Sequence, residues 1–335
     1  MTKAAFGLSS SLLVLALATT ALTGAQAQQA AMLLPGSIND QSWNAQGYAG
    51  LTKLKDIGYE IAYSENVPAA DHVEAMRDYA RRGFTLVIGH SGRFLSAAQR
   101  VGPEFPKVQF VAGSGAGGQG QNVMSVDYNN AQFGCLLGTL MARASKSGKI
   151  GGVYALEGLP NIVAQVGGMR LCAKLARPEI EVNVVYIKDI EDAAAAKEAA
   201  YALIGGGADV LTGKLNAAQA GLIQAAKDKG VFVTGRSFGH TAIAPEVVLT
   251  NIIEQWPTMY ASVAADVKQN KLAGEYKVYG FDTSANGAVL QLTADKAFNS
   301  AVSQDTIAEL DKVAKRFTSG ELKLVPTRED ARAGK

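Results

Sequence analysis

Short apolar runs alternate along this chain with longer segments in which apolar residues recur at helical spacing. The helical segments, VEAMRDYARRG and NAAQAGLIQAAKDKG among them, end in glycine, as helices commonly do. The apolar runs are rich in Val, Ile, Tyr and Phe, which favours strands. The eleven predicted strands are QAAMLLP, YEIAYSE, TLVIGH, KVQFVAG, NVMSVDY, KIGGVYAL, EVNVVYI, ADVLTG, VFVTG, EVVLTNI and YKVYGF. Strands that alternate with helices predict an α/β protein whose parallel sheets are covered on both faces.

Eleven strands are more than one compact sheet holds in a chain of 335 residues, so we expect two similar α/β lobes. NAQGYAGLTKLKDIG and LPNIVAQVGGMRLCAKLA are each predicted to be the first helix after a strand of their own lobe. In such sheets, ligands bind outside the carboxyl ends of the strands. The pattern therefore predicts a binding cleft at these strand ends, between the two lobes.

The first 27 residues have the pattern of an export signal. Lys3 supplies a positive charge, LSSSLLVLALATTAL is apolar, and the AQA that ends at Ala27 is an A-x-A cleavage site. A membrane anchor is the alternative, but the apolar run is shorter than the ~20 residues that a spanning helix needs. We therefore expect residues 1–27 to be a signal peptide and the mature protein to begin at Gln28, in the periplasm.

Charge and sulfur chemistry exclude several classes of protein. Lys and Arg number 32 against 30 Asp and Glu, so the formal net charge of +2 offers no footprint for nucleic acid or an anionic membrane. His72, His90 and His240 are far apart, and Cys135 and Cys172 lack a C-x-x-C partner, so we expect neither a metal nor a cofactor. Apolar surroundings favour two buried free thiols. A disulfide stays open, because bridging depends on the distance between the Cα atoms.

The stretch GSINDQSWNAQGYAGL follows the first predicted strand and enters the first predicted helix, so it faces the cleft. Trp43 offers a flat apolar face, and Asn39, Asp40 and Asn44 surround it with donors and acceptors, the set that holds a planar polar heterocycle. The alternative is a helix start, in which Asp40 or Ser42 caps the helix and Trp43 packs as a staple. Both roles can hold at once.

Polar residues also follow four other predicted strands. They converge on one edge only if the strands are parallel, as the alternation predicts, and that convergence makes them candidates for ligand contact. These candidates are His90, Ser91, Asp127, Lys214, Asn216, Arg236 and Ser237.

Two apparent catalytic or cofactor motifs fail. GSGAGG matches G-x-G-x-x-G, but the next element, NVMSVDY, is predicted to be a strand and not a phosphate-binding helix. GHSGR lacks the second glycine of a G-x-S-x-G nucleophile elbow. We therefore expect a binding protein and not an enzyme.

The segment G-x-I-N-D-x-S-W-N followed by GYAGL resembles the signature of the BMP (basic membrane protein) family of ABC-transporter substrate-binding proteins, also called the PnrA-like family. SENVP, GHSG, NVMSVDYNNAQFGCLLG, SGKIGGVYA, GADVL and APEVVLTNIIEQWP extend the resemblance over most of the mature chain. The resemblance implies a type I periplasmic-binding fold, in which two Rossmann-like lobes joined by three crossovers close on a ligand.

The implied first lobe comprises residues 28–127 and 252–282, and the second comprises 128–251 and 283–335. The crossovers are expected at 127–128, 250–251 and 281–282.

Members of this family commonly bind purine nucleosides and pass them to a membrane permease. By motif match, Asn39, Asp40, Trp43 and Asn44 would contact the base, and Asp127 would be a further contact. The resemblance implies a monomeric transport receptor. Two other classes stay open: a sensory protein that presents the same ligand to a receptor, and a nucleoside hydrolase that uses Asp40 and Asp127.

Four departures from the family pattern concern the sugar. Arg236 and Ser237 stand where relatives often have an acid, and Glu254 stands where a lysine is frequent. Gln132 replaces a common acid, and KLNAAQ replaces a glycine-rich loop. A free purine base therefore competes with a nucleoside as the expected ligand.

Overall fold

The computed structural model describes residues 1–2, 28–40, 43–283 and 285–332. Most of the expected signal peptide, and Ser42 as a helix cap, lie outside the described residues. Among the described residues, no helix combines the length and the apolar character that a membrane span requires.

Within these ranges, twelve strands form two six-stranded sheets. The strands are β1 (Gln29–Leu33), β2 (Glu60–Ser64), β3 (Leu86–Gly89), β4 (Gln109–Gly113), β5 (Val123–Tyr128), β6 (Lys149–Ala155), β7 (Glu181–Ile187), β8 (Val210–Gly213), β9 (Phe232–Gly235), β10 (Val248–Glu254), β11 (Tyr276–Tyr279) and β12 (Ala288–Gln291). The helices are α1 (Trp43–Asp56), α2 (His72–Arg81), α3 (Leu95–Val101), α4 (Asn130–Ala144), α5 (Pro160–Ala176), α6 (Ala193–Gly205), α7 (Gln219–Lys229), α8 (Phe238–Ile243), α9 (Trp256–Lys268), α10 (Gln304–Thr318) and α11 (Arg328–Arg332).

The two sheets repeat one strand order. The first runs β2-β1-β3-β4-β5-β11 and the second runs β7-β6-β8-β9-β10-β12. The pairs are parallel except for β10 and β12, which are antiparallel. Every residue of β3, β4 and β5 is buried, because helices cover both faces of the sheet. The expected pair of parallel-rich α/β sheets is confirmed. We call each sheet with the helices packed on it a lobe.

The chain passes between the sheets three times, after β5, between β10 and α9, and between β11 and β12. The second crossing is later than the 250–251 that the sequence predicts, because Ile252 and Glu254 are still in β10, paired with Leu290 and Ala288. Residues 252–254 therefore belong to the second sheet. Their partner β12 is a four-residue strand that is absent from the predicted set.

Gln132 of α4 holds the third crossing in place. Its Nε2 donates to Asp282 Oδ1 at 2.9 Å, and its Oε1 accepts from the backbone N–H of Phe281 at 2.8 Å. The structure thus uses Gln132 to hold a connecting segment, which gives this departure from the family pattern a local cause.

Cys135 of α4 and Cys172 of α5 form a disulfide with a Cα–Cα distance of 4.9 Å. The expectation of two free thiols was therefore wrong. The helices approach closely because glycine lies at their contact: a Cβ on Gly138 would be only 2.1 Å from the carbonyl oxygen of Met169. That approach brings the two sulfur atoms within bonding reach, a fact of tertiary structure that the sequence does not contain.

Candidate functional site

The turn that leads into α1 is fixed by hydrogen bonds among its own polar groups. Asp40 accepts from the backbone N–H groups of Asn44 at 2.9 Å and Ala45 at 3.0 Å, which caps the helix. Asn44 donates from Nδ2 to Asp40 at 2.7 Å and accepts at Oδ1 from the N–H of Gly36 at 3.1 Å. Asn44 is buried and Asn39 is exposed. These bonds place Asp40 in the capping role and position Trp43 at the first residue of α1.

Trp43 belongs to an aromatic cluster of four residues, Trp43, His90, Trp256 and Tyr260. The rings of Trp43 and His90 stack with centroids 4.3 Å apart, and Trp43 Nε1 donates to the carbonyl oxygen of His90 at 2.8 Å. Trp256 meets both rings edge to face, at 5.2 Å from Trp43 and 4.9 Å from His90. Trp43 is half-buried, whereas the other three are buried. The cluster therefore holds one aromatic ring rigidly at the cleft.

His90 supports Trp43 as a neutral ring. It is fully buried, and burial lowers the pKa of His90 to about 4. Nε2 lies 3.0 Å from the carbonyl oxygen of Trp43, which can only accept, so Nε2 carries the proton. Nδ1 then accepts from the hydroxyl of Tyr260 at 2.7 Å. His90, a predicted ligand contact, thus lies behind Trp43.

Asp127, at the end of β5, is a fully buried carboxyl group. It accepts from Ser114 Oγ at 2.9 Å, from the N–H of Tyr128 at 2.8 Å and from Asn130 Nδ2 at 3.1 Å. Burial raises the pKa of Asp127 to about 6, although the nearby charge of Lys214 opposes the shift. A carboxyl group in this state switches between acceptor and donor close to neutral pH.

Lys214 reaches the same group of side chains from β8. Its Nζ donates to Asn130 Oδ1 and lies 4.5 Å above the ring of Tyr128. Burial lowers the pKa of Lys214, and the negative charges of Asp127 and Glu254 oppose that shift. Lys214 is therefore an interior cation whose contacts already lie within the protein.

Arg236 and Glu254 form a buried ion pair through Nη2 and Oε1. Arg236 Nη1 also donates to the carbonyl oxygen of Leu215 at 2.7 Å, and Glu254 Oε2 accepts from Trp256 Nε1 at 2.8 Å. Burial opposes ionisation of Glu254, but the charges of Arg236 and Lys214 outweigh it and keep the pKa of Glu254 below its ordinary value. Two of the departures from the family pattern are thus one interaction, with the usual acid and lysine exchanged for Arg236 and Glu254.

Two polar contacts join the lobes across the cleft. Asn161, at the start of α5, donates to Ser114 Oγ at 3.2 Å, and Gln46 Nε2 lies 3.5 Å from the carbonyl oxygen of Arg236. Gln46 Oε1 is buried and has no hydrogen-bond partner among the described residues. A buried acceptor without a partner is costly, and a ligand N–H group that reached it would supply the missing hydrogen bond.

Three predicted site residues make local contacts instead. Ser91 Oγ accepts from the backbone N–H of Arg93, and Ser237 Oγ accepts from the backbone N–H of His240, both at 3.3 Å. Asn216 Nδ2 donates to Glu191 Oε1 at 2.7 Å. In the part of the chain that the structure describes, no group of three or more His, Cys, Asp or Glu side chains could hold a metal ion.

Several residues of the site are absent from the predicted set. One of them, Trp256, could have been found from the sequence. It is an indole followed by proline just after a strand, much as Trp43 comes after the first strand. The others are Gln46, Ser114, Asn130, Asn161 and Tyr260.

Comparison with known proteins supports the family resemblance that the sequence shows. A family model described as ABC transporter substrate-binding protein PnrA-like matches residues 27–322. The chain is 27% identical over 298 residues to the transcriptional activator protein med of Bacillus subtilis (strain 168). The alignment covers 88% of this chain and 90% of that protein. It is 27% identical over 212 residues to a purine-binding protein of Brucella abortus (strain 2308), and that alignment covers 62% of this chain and 59% of that protein.

Among solved structures, a solute-binding protein of an ABC transporter system from Conexibacter woesei DSM 14684 superposes with a TM-score of 0.73 and 27% identity. The match covers 90% of this chain and 99% of that one. This likeness confirms the type I periplasmic-binding fold that the sequence predicts.

Proposed function

We propose, since this chain belongs to the PnrA-like family of ABC transporter substrate-binding proteins, that it captures a purine and delivers it to the membrane permease of an ABC importer. The family supplies the coarser part of this function, which is to bind a small molecule for a permease. The purine is our inference from the cleft, and the similarity to a purine-binding protein supports it.

The observation that carries the proposal is the half-buried ring of Trp43, which His90 and Trp256 hold at the strand ends. A base stacked on such a ring gains ~1 to 3 kcal/mol. Gln46 Oε1 offers an unpaired acceptor for an N–H group of the base. Asp127, with a pKa raised to about 6 by burial, already accepts three hydrogen bonds from the protein, so it can meet the ring edge only if Ser114 or Asn130 releases its bond.

The charged residues favour a free base over a nucleoside. Both oxygens of Glu254 accept hydrogen bonds from within the protein, and Arg236 is committed to Glu254 and to a backbone carbonyl. The family resemblance implies that these positions contact the sugar, and here Arg236 and Glu254 are both paired without a hydroxyl group. A site without such groups gains little from a ribose. We therefore infer that purine bases bind at least as tightly as their nucleosides.

Two measurements test this proposal. Mass spectrometry of the small molecules released on denaturing freshly purified protein should identify a purine. Calorimetric titration should then give dissociation constants for adenine, guanine, hypoxanthine and xanthine that equal or lie below those of the matching nucleosides. At 100 times its dissociation constant, a ligand stabilises the fold by ~2.7 kcal/mol, which also registers as a shift in melting temperature. Binding of nucleosides alone would refute the preference for a base, and silence of all eight compounds would refute the purine.

A sensory role is the second candidate, because one relative that covers most of this chain is named a transcriptional activator. A sensory protein would use the same cleft, so ligand binding does not separate the two roles. Affinity purification with and without ligand does: a transport receptor should recover permease subunits, and a sensory protein should recover a receptor or kinase.

The periplasm is the proposed location, on the strength of the export signal in residues 1–27. Amino-terminal sequencing of protein recovered from the periplasmic fraction should begin at Gln28. A chain that retains Met1 would overturn the assignment.

A further inference from the structure

A pocket of about 370 Å³ opens on the second lobe between α5, the amino end of β7 and α11. The cleft lies at the carboxyl ends of the strands, so this pocket is at the opposite end of the sheet. Leu171, Ile180 and Val182 contribute to its wall, and Arg170 of α5 lies beside them.

Arg170 is a buried cation that lacks a full set of partners. It is 8% exposed, and its Nη1 donates to the carbonyl oxygen of Val182 at 2.6 Å. Its Nε is buried and has no hydrogen-bond partner within the described residues. Burial lowers the pKa of Arg170, and the groups that oppose this shift are two tyrosines, Tyr186 and Tyr154, and not a carboxylate. A buried N–H group without an acceptor costs free energy that a bound acceptor would restore.

The two carboxylates on the pocket wall are engaged elsewhere. Glu181 lies 3.3 Å from Lys149 Nζ. Asp330 accepts from the backbone N–H and from the hydroxyl of Thr327, both at 2.7 Å. The positive charge of Arg170 is therefore not neutralised by either neighbour.

We propose that this pocket binds a small organic monocarboxylate, whose carboxylate pairs with the guanidinium of Arg170 while its apolar body contacts Leu171 and Ile180. The edge of a guanidinium that contains Nε carries two parallel N–H groups, which match the two oxygens of a carboxylate. Because Nε is enclosed by protein in this structure, the side chain of Arg170 must rotate slightly for both groups to pair with the ligand. Lys174 is also on the wall and donates to the carbonyl oxygen of Pro178 at 3.2 Å, so the wall has two cations and two carboxylates. The apolar surface of Leu171 and Ile180 is therefore what favours an organic monocarboxylate over phosphate. The site is separate from the purine cleft and does not depend on it.

The first test is calorimetric titration of purified protein with benzoate, in parallel with inorganic phosphate and with chloride. Saturable binding of one benzoate per chain is expected, without comparable binding of phosphate or chloride. Arg170→Met should weaken benzoate binding at least about tenfold, the loss expected for hydrogen bonds to a charged group. The benzoate affinity of Arg170→Lys should lie between those of the parent and Arg170→Met, because lysine keeps the charge and loses the planar pair of donors.

Matched controls separate this site from the cleft. Trp43→Ala should leave the benzoate affinity unchanged, and Arg170→Met should leave purine affinity unchanged. Glu181→Gln removes a repelling charge from the pocket wall and should tighten benzoate binding by roughly twofold or more. That gain cannot arise from damage to the fold, so it decides the matter if Arg170→Met is not recovered folded. Equal affinity in the parent and Arg170→Met, equal binding of chloride, or no gain in Glu181→Gln would overturn the proposal.

Discussion

The wall of the cleft that the first lobe supplies is aromatic and centred on a neutral histidine, with Trp43 stacked on His90. The wall that the second lobe supplies contains Lys214, Arg236 and Glu254, all buried. An aromatic face accepts any flat ring at small cost, whereas buried charges must be paired before a ligand arrives. We therefore infer that the first wall supplies most of the affinity for a purine, and that the second wall determines which ring substituents are tolerated.

Breaking the ion pair of the second wall should have the largest effect. Arg236→Met leaves Glu254 buried without its cation and should lower the free energy of unfolding by ~3 to 5 kcal/mol. Urea denaturation measures this loss. The double variant Arg236→Met with Glu254→Leu should recover most of it, because neither charge is then left unpaired. A single variant within 1 kcal/mol of the parent would show that the pair contributes as little as an exposed one.

The disulfide stabilises the second lobe and does not contact the ligand site. Cys135 and Cys172 are 37 residues apart, so chain entropy alone gives the bridge a value of ~3 to 4 kcal/mol. Cys135→Ala with Cys172→Ala should lose about that much in urea denaturation and keep the purine affinity. A large loss of affinity at a temperature where the variant is folded would tie the bridge to the cleft.

Acid should destabilise both walls, because His90 lies in the first wall and His240 Nδ1 accepts from the backbone N–H of Arg236 in the second at 3.0 Å. Burial lowers the pKa of His90 to about 4, and burial followed by the charge of Arg236 does the same for His240. Each ring contributes about 3 kcal/mol that is present above pH 6.5 and is lost as the pH falls through 4. Asp127, with a pKa raised to about 6, acts in the opposite direction, since its contribution is present below pH 3.8 and is lost as the pH rises through 6.

The free energy of unfolding should therefore fall from pH 7 to pH 4, and urea denaturation at each pH measures it. Asp127→Asn removes the opposing contribution and should make the fall between pH 6 and pH 4 steeper. An unchanged slope in that variant would show that Asp127 keeps an ordinary pKa.

Trp43→Ala tests the first wall directly. It should weaken purine binding by ~1 to 3 kcal/mol, measured by calorimetry, with little change in melting temperature. Tyr63→Ala is the matched control, because Tyr63 is a partly exposed aromatic residue of the same lobe that packs on Tyr48 outside the cluster. Equal losses in the two variants would remove Trp43 from the site.

The smallest effect is expected at Asp40. Asp40→Ala removes the cap of α1 and should cost ~1 kcal/mol of stability, whereas Asp40→Asn keeps a capping oxygen and should cost less. Purine affinity should stay the same in Asp40→Asn. A loss of more than tenfold there would give Asp40 the direct base contact that the family resemblance implies.

The fold follows largely from local pattern, whereas the pairing within the site does not. Each of the eleven predicted strands is present. Most are buried and read as continuous apolar runs, and the partly exposed edge strands β2, β7 and β11 are still marked by Val, Ile and Tyr. The missing strand, β12, has four residues and pairs antiparallel at the edge of its sheet, so no run or alternation is long enough to indicate it.

Trp43 could be identified from sequence because it stands beside polar residues at a strand end. The sequence also marks Arg236 and Glu254 as unusual, but their pairing depends on how β9 and β10 align. Trp256 and Tyr260 were missed because they reach His90 from a distant part of the chain. The disulfide, which the sequence leaves open beside the favoured free thiols, was missed for the same reason, because it depends on the distance between the two cysteines in space.

The late position of α9 and β11 in the chain affects the order of folding. Both pack on the first lobe, whose other strands end at Tyr128, and Tyr260 follows His90 by 170 residues. At a synthesis rate of ~5 to 20 residues per second, roughly 10 to 30 s pass between the two residues leaving the ribosome. During that time β5 has an open edge and Trp43 lacks half of its neighbours, so the nascent first lobe cannot reach its final state. Such a delay would suit the export that we propose, because a chain must still be unfolded when it is threaded across a membrane.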